Sequence, residues 1–260
     1  MLLISSSQNI HFKRVKALQE KARKRKEEKR FIIEGEKEIM HALEGGFELE
    51  QLYLKEGHIP KKEIEENKRK NEDIIMVSSL FERLCYRSTS KVIAVAQGKN
   101  HSLSDLNLSH HPFILVAESP EKPGNIGALL RTADAMAVDA VLIADPKTEL
   151  YNPNVIRSSV GCLFSVPIAM ASRSEVFSFL KEKDIPVYSA ALKENAQAYT
   201  GFDYTKATAI AVGTENSGLS DAWMAEESTP IIIPMLGKND SLNVSVAAGI
   251  LLAEVQRQRN

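Results

Sequence analysis

Phe113-Ile114-Leu115-Val116-Ala117 is an unbroken apolar run, followed by Glu118-Ser119-Pro120-Glu121-Lys122-Pro123-Gly124-Asn125-Ile126-Gly127 and Ala128-Leu129-Leu130-Arg131-Thr132-Ala133-Asp134. A short apolar run bounded by Pro, Gly and Ser reads as a strand buried on both faces. Behind the loop, Ile126, Leu129, Leu130, Ala133 and Met136 fall on one face of a helix starting near Asn125, which is placed as its N-cap. A second apolar strand runs from Ala140 to Ala144. Strand, helix, strand is the unit of a mostly parallel sheet covered on both faces.

Downstream the alternation continues. Helices are predicted near Pro153 to Val160 and over 173–183, and strands at Val187 to Ala190, Ala209 to Val212 and Ile231 to Ile233. A short helix follows Leu219, and a long one runs from Asn243 to Gln256. Upstream, a smaller α/β unit is predicted. It has a helix from Asn9 to Glu28, a strand at Phe31-Ile32-Ile33, a helix from Glu36 to Leu43 stopped by Gly45-Gly46, and a strand at Leu52-Tyr53-Leu54. An exposed helix over 61–70, a strand from Ile74 to Val77, a helix capped by Ser78 and reaching Cys85, and a strand from Val92 to Ala96 complete it. Residues 98–112 are polar and aperiodic. The division is therefore 1–98, a linker over 99–112, and 113–260, and a chain of 260 residues has room for two domains.

Composition narrows the class. No apolar run approaches the ~18–20 residues that span a bilayer, and the opening MLLISSSQNIHFKR is too briefly apolar for a secretory signal. Two distant cysteines, Cys85 and Cys162, make neither a disulfide framework nor a zinc knuckle, which points to a reduced, cytoplasmic setting. Net charge is −1, yet residues 13–30 carry ten Lys/Arg against three Glu. That run, with Arg14, Lys16, Arg23, Lys24, Arg25 and Lys26, is a candidate nucleic-acid contact, and equally fits a solvated helix laced by i,i+4 ion pairs. All six histidines precede residue 112. Chemistry in the second domain therefore uses no His base, no Ser-His-Asp triad and no His/Cys metal site.

Three strand-to-helix loops are rich in Gly, Pro, Asn and Ser, and such loops carry the ligand sites of open α/β sheets. In the first, Arg131 lies one turn beyond Gly127, giving either an anion pocket or a surface pair with Asp134. The second, Gly213-Thr214-Glu215-Asn216-Ser217-Gly218-Leu219, has P-loop spacing, but Leu219 stands where the lysine belongs and Glu215 repels phosphate. It suits a neutral or cationic ligand. The third runs Ile233-Pro234-Met235 to Ser241-Leu242-Asn243-Val244-Ser245-Val246-Ala247; Ser241 or Asn243 can cap the last helix, whose small residues permit close backbone approach.

In this order the three loops strongly resemble the motifs of the SpoU (TrmH) family of RNA ribose methyltransferases in the SPOUT superfamily. The segment Asn9 to Lys16 with Phe31-Ile32-Ile33-Glu34-Gly35 resembles that family's appended substrate-binding domain, with a fold like ribosomal protein L30e. The resemblance implies a C-terminal trefoil knot, S-adenosylmethionine held within it, a homodimer, and RNA phosphates meeting the basic run. Transfer of the methyl group to a ribose 2′-hydroxyl, of ribosomal RNA in preference to tRNA, is the implied reaction. A non-catalytic RNA-binding protein of the same fold is the competing class. On this reading the donor meets Gly213, Thr214, Glu215, Gly218, Ile233, Met235, Leu242, Asn243 and Val244, without metal or membrane. Arg131, Asn125, Ser241, Asn243 and Glu215 carry the reaction. Because arginine titrates above ~12, stabilisation of the developing oxyanion or a clamp on the neighbouring phosphate explains Arg131 better than a free base does.

Overall fold

The computed structural model describes residues 2–67, 71–193, 195–214, 217–225 and 228–260. In chain order the elements are β1 (Leu2–Ile4), α1 (Ile10–Glu20), α2 (Ala22–Glu28), β2 (Arg30–Glu34), α3 (Glu36–Glu44), β3 (Leu49–Lys55), α4 (Lys62–Asn67), β4 (Ile74–Met76), α5 (Ser78–Phe81) and β5 (Val92–Gln97). There follow β6 (Phe113–Glu118), α6 (Pro123–Ala135), β7 (Ala140–Ala144), α7 (Pro153–Ser159), β8 (Ile168–Ala171), α8 (Arg173–Glu182), β9 (Val187–Ala190), β10 (Gln197–Ala198), β11 (Thr208–Val212), α9 (Asp221–Ala225), β12 (Ser228–Ile232) and α10 (Val244–Arg259). The chain separates into two compact units, one of residues up to Asn100 together with Glu149–Ser165, the other of His101–Thr148 and Val166–Asn260.

The first unit is built on a mixed sheet ordered β1-β4-β3-β5-β2, with β3, β4 and β1 parallel and β5 antiparallel to both its neighbours. Phe12, Val15 and Leu18 of α1 are buried and belong to the core built on this sheet. The predicted long basic helix is two helices, because Lys21 is extended (φ −115°, ψ 105°). The break brings Arg25 inward. Its Nη1 donates to the carbonyls of Leu18 and Gln19, at 2.6 and 2.9 Å, filling acceptors that the end of α1 leaves open. Its Nε and Nη2 each reach Glu149 at 2.9 Å. Arg25 is 4% exposed, so it does not meet phosphate, a correction to the sequence expectation. α5 is also shorter than predicted, and Val77 rather than Ser78 caps it.

Glu149–Ser165, which the sequence reading put in the second domain, packs in the first unit. Tyr151 stacks on Phe31 with ring centroids 4.1 Å apart, and Phe164 meets both Phe31 and Phe47. Arg25→Ala is expected to lower stability by about 3 kcal/mol in chemical denaturation. The substitution strands a half-buried carboxylate and leaves two carbonyls without their donor. A loss under about 0.5 kcal/mol would place the pair among weak surface ion pairs instead.

The second unit is a seven-stranded sheet ordered β10-β12-β9-β11-β6-β7-β8, with every pairing parallel. β6, β7 and β11 are buried along their whole length. The expected linker does not hang free: Leu103, Leu106 and Leu108 pack on the core and Met170 N–H donates to the His101 carbonyl at 2.7 Å. α6 begins at Pro123, two residues before the predicted start, so Asn125 is its third residue and not its cap. Proline fixes φ near the helical value and needs no N–H at a first turn, so it sets this start. α10 packs on α6, and an added Cβ at Gly249 would sit 3.7 Å from the Thr132 methyl, so the small residues serve that approach.

Candidate active site

The loop after β11 closes on itself. Thr214 and Gly218 exchange backbone hydrogen bonds of 3.0 Å each, and Thr214 Oγ1 accepts from Ser217 N–H at 3.2 Å. Gly218 has φ +66°, which favours glycine. Gly213 is required by space: a Cβ there would lie 2.0 Å from the Gly218 carbonyl carbon and 2.1 Å from the Leu219 nitrogen. Leu219 is buried in the core with Trp223, which explains an apolar residue at that position. Glu215 and Asn216 lie outside the described residues.

The first and third loops meet through asparagines. Asn243 caps α10, its Oδ1 accepting from Ser245 N–H at 2.9 Å and Ser245 Oγ at 2.6 Å. Its Nδ2 donates to Asn125 Oδ1 at 3.3 Å. The ends of α6 and α10 are thereby tied together. Ser241 is exposed beside them, its Oγ 3.4 Å from Asp240 Oδ1.

A pocket of about 400 Å³ opens where β9, β11 and β12 end. Gly213, Thr214, Gly218, Ile233, Met235, Leu242 and Val244, from the set expected to meet the donor, line it, and so does Ser241. Asn243, Asn125 and Arg131 do not line it. Sequence reasoning missed the contribution of the β9 end, Ala190 to Lys193, where Lys193 pairs with Asp221 at 2.9 Å. The volume lies in the range of small-molecule sites. Apolar walls, bare backbone at Gly213 and the absence of a P-loop lysine fit a flat heterocycle with a cationic centre better than a polyphosphate.

The Arg131 side chain stands exposed on α6 and makes no hydrogen bond or ion pair among the described residues. The surface pair with Asp134 is not formed. Of the basic run, Arg14 is engaged by Glu28 at 2.9 Å and Glu50 at 2.8 Å. Desolvation pushes both carboxylates up, but hydrogen bonds from Lys24 and Arg14 to Glu28, and from Arg30 and Arg14 to Glu50, hold them below their ordinary range. Lys16, Arg23 and Lys24 make surface i,i+4 pairs with Glu20, Glu27 and Glu28. Lys26 is exposed and has no ion pair among the described residues.

A further group was missed. Glu118, 5% exposed at the end of β6, accepts from Ser220 N–H at 2.7 Å and Ser220 Oγ at 2.6 Å, with Arg173 Nη1 3.6 Å away. The carboxylate anchors the end of the Gly213–Leu219 loop to the sheet. An acidic residue closing an apolar strand is the signal that marks it. Glu118→Gln puts an amide N–H against donors and is expected to weaken donor binding about tenfold, near 1.4 kcal/mol, by calorimetry. Unchanged affinity would reduce Glu118 to a core contact.

Residues 112–253 match the SpoU rRNA Methylase family, and residues 9–94 match the MRM3-like substrate binding domain. The chain is 29% identical to the 23S rRNA (guanosine(2553)-2′-O)-methyltransferase RlmP of Bacillus subtilis (strain 168), over 97% of this chain and 98% of that one. Among solved structures, an RNA 2′-O ribose methyltransferase is 39% identical with TM-score 0.84, covering 99% of both chains. The SpoU methyltransferase AviRb from Streptomyces viridochromogenes in complex with AdoMet is 28% identical with TM-score 0.86, over 96% of this chain and 99% of that one. An L30e-like first unit, an all-parallel second unit and three motif loops gathered at one end of the sheet agree with these likenesses, and the chain belongs to the SpoU rRNA methylase family of S-adenosylmethionine-dependent RNA 2′-O-methyltransferases.

Proposed function

We propose that this chain methylates a ribose 2′-hydroxyl of ribosomal RNA, with the donor in the pocket at the ends of β9, β11 and β12. The observation that carries the reading is the closure of the Gly213–Leu219 loop over bare backbone beside that pocket. Bound there, S-adenosylmethionine supplies an electrophilic methyl on a sulfonium. The residues do the rest. Gly213, Thr214, Gly218, Ile233, Met235, Leu242 and Val244 hold the donor; Glu118 and Asn243 fix the loops that carry them. Glu215 belongs to the same loop, and Asn125 and Ser241 orient the acceptor. Arg131, without a protein partner among the described residues, meets charge developing on the 2′-oxygen or the neighbouring phosphate. No histidine exists among residues 112–260 to take the hydroxyl proton, which passes to a phosphate oxygen of the RNA or to water. Alignment of methyl and oxygen supplies most of the acceleration.

Ribosomal RNA is favoured over tRNA because the likeness to RlmP spans both units. The reading includes a homodimer with the site beside its interface, supported by exposed Leu236, Leu242 and Val246 near the pocket, and a C-terminal trefoil knot. No metal is required, and among the described residues no group of His, Cys, Asp and Glu is placed to hold one. Among those residues no helix is long and apolar enough to cross a membrane. The reading includes a cytoplasmic setting, for which two cysteines 77 positions apart in a 260-residue chain are the support.

The test is incubation of the protein with labelled S-adenosylmethionine and purified rRNA and tRNA, followed by mapping of alkali-resistant linkages. Label at one 2′-position of rRNA supports the reading; label on a base nitrogen, or none, overturns it. The basic helix has its own test. Arg23, Lys24 and Lys26 changed to Gln are expected to weaken RNA binding and lower its salt slope by about one per lost phosphate contact. Donor affinity should stay constant. An unaltered slope returns the run to its i,i+4 ion pairs.

A further inference from the structure

The first unit holds a pocket of about 240 Å³ that methyl transfer does not use. Ile32, Leu84 and Ile156 are its apolar lining, and Glu34 and Glu38 supply carboxylates. Its edge carries Tyr86, an aromatic left 70% exposed, with the Arg157 guanidinium carbon 3.5 Å from the ring centroid.

The platform is held in place. Glu34 accepts the backbone N–H groups of Tyr86 and Arg87 at 3.0 and 2.9 Å and the Ser90 hydroxyl at 2.6 Å. Arg87 Nη1 donates to Glu38 Oε1 at 2.7 Å, and Glu38 is 2% exposed. Arg157 is set by Asn154 Oδ1. The Glu34-Gly35 pair that ends the Phe-x-x-Glu-Gly segment therefore has a use: it fixes the turn that presents Tyr86. Cys85 also lines the pocket, but burial pushes its thiol up to about 12, so it is a neutral wall and no nucleophile.

The lining selects its occupant by chemistry. The two carboxylates are offset by Arg87 and Arg157 in the same lining, so the wall lacks the net positive charge that a phosphate needs. A volume this small excludes a helix or a duplex end. A flat ring with N–H donors on its edge fits: its face stacks on the side of Tyr86 that Arg157 leaves open, and its edge meets the remaining lone pairs of Glu34. Bases within a duplex have their faces covered, so the ring must come from a single-stranded loop or bulge.

We propose that this pocket binds one unstacked nucleobase of the RNA substrate on the Tyr86–Arg157 platform. The proposal rests on the reading of RNA as substrate.

The test uses the full-length protein and fluorescently labelled ten-nucleotide RNAs (oligo-A, oligo-C, oligo-U and a mixed sequence containing G), with a ten-base-pair duplex for contrast. Tyr86→Ala is expected to weaken single-strand binding about tenfold by anisotropy, the cost of one lost stacking contact. Tyr86→Phe keeps the ring face and should stay within about twofold of wild type. Duplex binding should be unchanged. With rRNA as acceptor, Tyr86→Ala should raise KM and leave kcat in place, as for a contact made equally in ground and transition states. Thermal melting and donor binding confirm that the variant is folded. Wild-type affinity in Tyr86→Ala overturns the proposal, as does an equal loss on duplex RNA, which would mark a backbone contact. The anisotropy result stands apart from catalysis. A wild-type protein that binds RNA but transfers no methyl group refutes the proposed function and leaves this pocket to be judged on binding alone.

Discussion

Arg131→Ala is expected to remove methyl transfer almost wholly while leaving donor affinity within a few-fold of wild type. Two placements support the split. Arg131 does not line the donor pocket, so its loss touches none of the groups that hold the donor. Its side chain is also exposed on α6 with no hydrogen bond or ion pair among the described residues, so its removal leaves no buried partner behind. An arginine that forms no pair on its own helix contributes little to folding, and its charge is available for a ligand. Losing charge stabilisation at a developing oxyanion typically costs about 10²–10³ in rate. Arg131→Lys retains one charge but loses the planar fork, and should not restore activity where two oxygens must be held together. Single-turnover methylation at saturating RNA is the measurement. A rate for Arg131→Ala within threefold of wild type would remove the residue from the reaction.

The elements legible in the sequence are those whose cause is local. β6, β7 and β11 are unbroken apolar runs because both faces of each strand are covered. β8 and β10 were not predicted. They lie at the two edges of the sheet, and β10 has only two residues, too few to show a pattern. β1 sits at the edge of the other sheet with Leu2 and Leu3 exposed, so its burial pattern carries no alternation. The cap of α10 was legible because an Asx residue bonds two positions ahead, as Asn243 does to Ser245. The same reasoning failed at Asn125, where Pro123 set the helix start two residues earlier.

What the sequence hid is what depends on distant partners. Arg25 looks like any other cation of a basic run, yet its carboxylate lies 124 residues away at Glu149. Tyr151 and Phe164 gave no local sign that they would pack on Phe31 in the first unit. Glu118 and Ser220 are 102 residues apart, so the latch they form has no spacing to read. The three loops were legible as a set because each follows a strand at the same end of a parallel sheet. Their joining by the Asn125–Asn243 contact was not.

Gly213→Ala is expected to weaken donor binding by more than about 100-fold, near 2.7 kcal/mol. The cause is steric and backbone-bound. The new Cβ would lie 2.0 Å from the Gly218 carbonyl carbon, 2.1 Å from its oxygen and 2.1 Å from the Leu219 nitrogen. No rotamer change relieves a clash with main-chain atoms, so the Thr214–Gly218 bridge must open. Opening it moves Thr214 and Gly218 out of the pocket wall, and it also pulls on Ser220, which Glu118 holds at 2.7 Å. The loop cannot satisfy both its closure and its anchor with a methyl group at 213. Gly237→Ala provides the control, since a Cβ there meets nothing within 4 Å, and it should bind the donor within about twofold of wild type. Both variants should be compared by calorimetry and by thermal melting with and without donor. A folded variant that has lost the site shows a melting point that no longer rises with donor concentration. If Gly213→Ala melts higher with donor to the same extent as wild type, the loop is not part of the donor site, and the pocket must take its ligand through the Ala190–Lys193 and Ile233–Val244 walls.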